Sequence, residues 1–113
     1  MTIRNLSQNT VIAGQAVMAD TVLTRMRGLL GRSSLPAGEA LVIAPCQSVH
    51  MLFMRFPIDV VFADSDNRVV GLCADLRPFS LSPVFWKSAC AIELPAGTIK
   101  KTNIRVGDNL SIK

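Results

Sequence analysis

Ile58, Val60 and Phe62 are spaced two apart, the polar cluster Asp64-Ser65-Asp66-Asn67 follows, and Val69-Val70-Gly71-Leu72 resumes the apolar run. Asp and Asn side chains bond to nearby main chain and tolerate left-handed backbone, so the cluster marks a turn. β-branched and aromatic residues on both sides then predict a β-hairpin over residues 58–74.

Other segments repeat this strand-like pattern. Ile3-Arg4-Asn5-Leu6 and Thr10-Val11-Ile12, broken by Asn9 and Gly14, suit one or two opening strands within residues 3–18. Ala40-Leu41-Val42-Ile43-Ala44 is a short apolar strand stopped by Pro45, and Val49-Met51-Phe53 alternates with His50-Leu52-Met54. Cys90-Ala91-Ile92-Glu93-Leu94 reads as another strand, and Gly107-Asp108 turns into a closing strand, Leu110-Ser111-Ile112. Between Asp20 and Gly31 the period changes. Val22, Leu23, Met26, Leu29 and Leu30 recur at helical spacing, with Asp20 suited to cap the start and Gly31 to end it, which predicts a helix over residues 21–30. Arg25 and Arg27 flank its apolar stripe, and Gly28 inside it costs about 1 kcal/mol against Ala. Residues 33–39 and Arg77–Ser88 read as loops, the second rich in proline and carrying Phe79, Phe85 and Trp86.

The expected class is α+β and mainly β, a small curved antiparallel sheet or barrel with one amphipathic helix near the N-terminus. At 113 residues, half of them hydrophobic, the chain is expected to form a single domain over residues 1–113. Its three cysteines, Cys46, Cys73 and Cys90, are odd in number and have no CxxC spacing, so neither a disulfide framework nor a thiolate zinc site is expected. The polar start and the lack of a long apolar run point to a cytoplasmic chain with no membrane partner. The net charge of +4 is spread along the sequence without a basic run, recognition helix or phosphate loop, so nucleic acid is not an expected partner.

Residues 45–62 hold the densest mixture of polar and apolar groups, with the single His beside Cys46 and Asp59. In an extended segment Cys46 and His50 would lie about 13 Å apart, too far for a nucleophile and its base. Cys46, His50 and Asp59 supply fewer ligands than a closed metal site needs, so no metal or other cofactor is expected. Asp59 and Glu93 interrupt apolar strands, where an ionised carboxylate requires a partner, and Arg25 or Arg27 would serve. Phe79, Phe85 and Trp86 suit either a ligand lip or the filling of an open barrel end.

Five blocks in this order resemble a known family: Arg25-Met26-Arg27-Gly28-Leu29-Leu30-Gly31-Arg32, Cys46-Gln47-Ser48-Val49-His50, Phe53 to Phe62, Glu93-Leu94 with Ala96-Gly97, and Gly107-Asp108. They are similar to the signature of domain-of-unknown-function family 192, also called uncharacterised protein family 0127, from about Val17 onward. The resemblance implies a compact, mainly β fold with one helix, found in bacteria and archaea and without established activity. It also implies a candidate site at Arg25, Gly28, His50, Met54, Pro57, Asp59 and Glu93. Two functions follow as expectations. One is a non-catalytic domain that binds a small ligand or a protein partner beside the helix and the strand starting near Ile58. The other is a small hydrolase or transferase with His50 as base and Asp59 or Glu93 orienting it or acting as acid. A nucleic-acid accessory role is a minor third.

Overall fold

The computed structural model describes residues 1–19, 34–51 and 54–113. Three short strands at the start, β1 (Ile3–Asn5), β2 (Thr10–Ala13) and β3 (Gln15–Ala19), are followed by β4 (Glu39–Ile43), β5 (Ile58–Ala63), β6 (Val69–Leu76) and β7 (Cys90–Pro95). A short helix, α1 (Thr98–Thr102), and a last strand, β8 (Leu110–Ile112), complete them. They form two sheets, one in the order β2-β1-β8 and one in the order β3-β4-β7-β5-β6.

The hairpin over 58–74 is present as β5 and β6. At its turn, Asp64 Oδ1 accepts the N–H groups of Asp66 and Arg68, each at 2.9 Å, and Asn67 takes a left-handed φ of 60°. The opening segment yields three strands where one or two were expected.

Two expectations need correction. Among the described residues there is no single curved antiparallel sheet and no closed barrel; two sheets share a core, and β3 pairs with β4 in parallel. Parallel neighbours need a long connection, and the interval between Ala19 and Glu39 is long enough to supply one. The helix expected over residues 21–30 lies outside the described residues, and the helix they contain, α1, is near the C-terminus.

The central strands of the five-stranded sheet, β4, β7 and β5, are buried on both faces. Along β5, Val61 and Ala63 join Ile3, Ile12 and Leu110 in the core between the sheets, while Ile58, Val60 and Phe62 pack on the opposite face with Leu35, Met51 and Met54. All six residues of β5 are buried, which accounts for an almost continuous apolar run.

Asp59 is the exception in that run, and it is fully enclosed. Its Oδ1 accepts the N–H of Asp75 at 2.8 Å, where β6 bulges and Asp75 adopts φ 52°. Its Oδ2 accepts the N–H of Ile99 at 2.8 Å, in the first turn of α1. One carboxylate thereby ties β5 to both the bulge and the helix, satisfying donors that neither element satisfies for itself. An Asn at this position keeps a single acceptor oxygen and turns an NH₂ toward a main-chain N–H. Asp59→Asn is expected to destabilise the fold by about 2–4 kcal/mol, read from the midpoint of a urea transition.

Candidate functional site

The face of the five-stranded sheet away from the β2-β1-β8 sheet is covered by a narrow ribbon formed from two loops. Residues 47–51 run antiparallel to residues 79–86. Met51 N–H donates to Ser80 O at 2.8 Å, Phe79 N–H to Met51 O at 2.8 Å, Ser82 N–H to Val49 O at 2.9 Å and Phe85 N–H to Gln47 O at 2.8 Å. Side chains extend the ladder: Val49 N–H donates to Ser82 Oγ at 2.9 Å, and Gln47 Nε2 donates to Trp86 O at 2.7 Å. Where this ribbon meets β7, Ser88 Oγ lies 2.8 Å from Cys46 O and 2.9 Å from Cys90 O.

Pairing of this kind sends neighbouring side chains to opposite sides. Val49, Met51 and Ser82 point inward and are buried. Phe85 also turns in: its ring lies 4.6 Å from that of Phe62, and it occupies the space where a Cβ on Gly71 would stand, 2.4 Å from its ring carbons. His50 and Leu81, bridged across the ribbon, face outward with Phe79, Val84 and Trp86. Phe79, Leu81 and Trp86 are 69%, 70% and 77% exposed. The three aromatics singled out in the sequence therefore divide, Phe85 into the core and the other two into solvent. Leu81 joins the exposed set unforeseen, because the ribbon's alternation arises only from long-range pairing.

Phe79 carries a second cost. Its φ is 66°, in the left-handed region. Among the described residues, the other non-glycine ones there are Asn9, Asn67, Asp75 and Asn103, the types that tolerate it best. A bulky ring held in that conformation and hydrated as well is a local liability with no return from the core.

Among the described residues, the polar candidates do not converge. Asp59 pairs with Leu94 across β5 and β7, on the face toward the β2-β1-β8 sheet, whereas Glu93 pairs with Val60 on the opposite face. Adjacent ladder positions thus place the two carboxylates on opposite sides of one sheet. Both Asp59 oxygens accept main-chain N–H groups. The Glu93 side chain has no hydrogen bond or ion pair with any described residue, and burial alone pushes its carboxyl up to about 7. His50 is exposed, and no described carboxylate lies within hydrogen-bond reach of its ring. Cys46 Sγ donates to Ser48 O at 3.1 Å, and no group of three His, Cys, Asp or Glu residues that could hold a metal forms among the described residues. Met54 is buried in the core and Pro57 is half-buried at the start of β5. Arg25, Arg27 and Gly28 lie outside the described residues.

On the other side of the sheet, a cavity of about 300 Å³ opens between Met1, Met18, Val42, Cys90 and Ile112, and its lining includes none of the candidate site residues. No helix of the described residues is long and apolar enough to cross a membrane.

Residues 3–112 match the model of DUF192, described as an uncharacterized ACR. A UPF0127 protein of Thermococcus sibiricus is 35% identical over 112 residues, covering 94% of this chain and 71% of that protein. A UPF0127 protein of Pyrococcus furiosus is 32% identical over 111 residues, covering 94% and 93%. Among solved structures, a protein of unknown function from Novosphingobium aromaticivorans superposes with a TM-score of 0.83 at 22% identity, over 98% of this chain and 82% of that one. A putative transcription regulator from Sinorhizobium meliloti gives 0.76 at 21% identity, over 97% and 89%. At these identities the two structures share the fold.

Two measurements follow from this geometry. A carboxyl whose folded pKa is raised favours folding fully below its unfolded value, about 4.3, and that contribution is lost as pH rises through about 7. Glu93→Gln should therefore remove a downward slope of stability between those pH values, so that the wild-type and variant denaturation midpoints diverge as pH is raised. Phe79→Asn should stabilise by about 0.5–1 kcal/mol by relieving the left-handed backbone, an unusual sign for the loss of an aromatic ring.

Proposed function

The chain belongs to the DUF192 family, and from the geometry of its covering ribbon we propose that it is a non-catalytic binding domain whose partner meets the outer face of that ribbon. The observation that carries this reading is the exposure of Phe79, Leu81 and Trp86 on a segment whose inner face is already committed to the core. Clustered large apolar groups in water are unfavourable to the isolated chain and become favourable once a partner covers them. Aromatic side chains supply much of the binding energy in such contacts. The reading moves the binding surface from the expected cleft beside Ile58 to the ribbon, and it keeps His50, Phe79 and Trp86 from the original candidates.

The hydrolase or transferase reading draws less support. It needs His50 beside a carboxylate, and Asp59 is bound into the scaffold on the far side of the sheet from Glu93. General acid-base chemistry requires those groups within about 3.2 Å of the proton being moved.

Amide-resolved NMR with pools of metabolites, short peptides and oligonucleotides separates the two. Shifts clustering at residues 47–51 and 79–87 are expected with at least one pool. Convergence of shifts on Glu93 and β5, accompanied by turnover of a pool component, would instead establish an enzyme and sink the binding-domain reading.

A further inference from the structure

We infer that the ribbon is an interfacial loop that docks the protein on an anionic lipid surface. This inference rests on the binding-domain reading and names the class of partner. Three features of the ribbon select it.

The first is shape. Phe79, Leu81 and Trp86 are each more than two-thirds exposed along the outer face of one antiparallel ribbon, which makes that face a raised apolar ridge and not a cleft. A ridge has no walls to grip a small molecule, whereas a fluid lipid interface closes around inserted side chains. Trp and Phe are favoured at that depth, where an amphipathic or apolar ring sits at the boundary between headgroups and acyl chains.

The second is charge. Residues 45–57 and 77–88 contain no Asp or Glu, and their cations, Arg55, Arg77 and Lys87, are all exposed. Lys87 adjoins Trp86, and Arg77 precedes Phe79 by two residues. Of the two acids nearest in sequence, Asp59 is buried in the scaffold. Asp75 meets Arg77 at 3.1 Å in a pair whose guanidinium and carboxylate side chains are 74% and 52% exposed, so the guanidinium remains open to a phosphate. Exposed apolar groups on segments whose formal charges are all positive complement apolar tails beneath negative headgroups, with long basic side chains reaching the phosphates. The same charges disfavour a second copy of the chain. A two-fold contact through these segments would bring two sets of exposed cations together, offset only by Asp75.

The third is the backbone of Phe79. A ring at φ 66° that is also hydrated is doubly disfavoured in the free protein, and insertion into lipid removes one of those penalties. Sequence alone argued against a membrane partner because no span is present. Docking by a surface loop requires no span.

Trp86 is the single tryptophan, so its fluorescence reports on the ribbon without ambiguity. The full chain is mixed with vesicles of phosphatidylcholine alone or with an equal part of phosphatidylglycerol. Expected are a blue shift and quenching by brominated acyl chains with the anionic vesicles only, and co-sedimentation that weakens as salt is raised. Phe79→Asn, a variant expected to fold at least as well as the wild type, should lower vesicle affinity about tenfold. Lys87→Glu should lower it as well. Equal binding to neutral vesicles, no Trp86 response to either vesicle, or unchanged affinity in Phe79→Asn would each overturn the lipid assignment. If vesicles fail and an acidic peptide shifts Trp86, the lipid inference falls while the binding-domain reading stands. If neither vesicles nor any pool of the NMR experiment reaches the ribbon, both fall.

Discussion

A carboxylate cannot enter a dry interior unless its oxygens are satisfied there, and Asp59 meets that condition by accepting one main-chain N–H from β6 and another from α1. The bulge at Asp75 and the docking of a five-residue helix both depend on this group. Neither has much stability of its own. A helix of one turn is far below the length that persists in water, and the bulge leaves the hairpin ladder interrupted. Asp59 is better understood as the fastening of three elements than as a reactive acid.

Burial of β5 on both faces sets the next level of organisation. Because strand side chains alternate, every polar group in β5 or β7 is assigned to one core or the other by its position alone. Asp59 falls on the side of the β2-β1-β8 sheet and Glu93 on the side of the ribbon. The two carboxylates looked like one constellation in sequence, and the pleat divides them. Glu93 then stands without a described partner on an apolar face, which is why its proton is held more tightly than a solvated carboxylate would hold it.

The readable parts of this sequence are those governed by local chemistry. The hairpin at 58–74 is legible because its turn is built from Asp64 and Asn67, whose side chains and backbone preferences act within four residues. β4, β7 and β8 are legible from apolar runs bounded by proline or by Gly107-Asp108. The five-residue helix α1 follows Gly97 at φ 94°, and a single turn leaves no periodicity to detect; its N-terminal partner is forty residues away in Asp59. The parallel pairing of β3 with β4 is equally remote from any local signal. For the candidate site, the sequence grouped Phe85 with Phe79 and Trp86, although only the latter two are exposed. The inward turn of Phe85 depends on the vacancy over Gly71, a contact between residues fourteen apart that composition cannot show.

The ribbon is secured by main-chain hydrogen bonds, by Ser82 and Ser88, and by the inward side chains Val49, Met51 and Phe85. The side chains at positions 50, 79, 81, 84 and 86 face outward, and these positions join that fastening only through their main chain. Scaffold and surface are consequently separable in design: those five positions form a small, solvent-facing palette that can be rewritten without repacking the core. A library randomised there would explore new specificities on an unchanged frame, much as grafted loops do on a rigid sandwich.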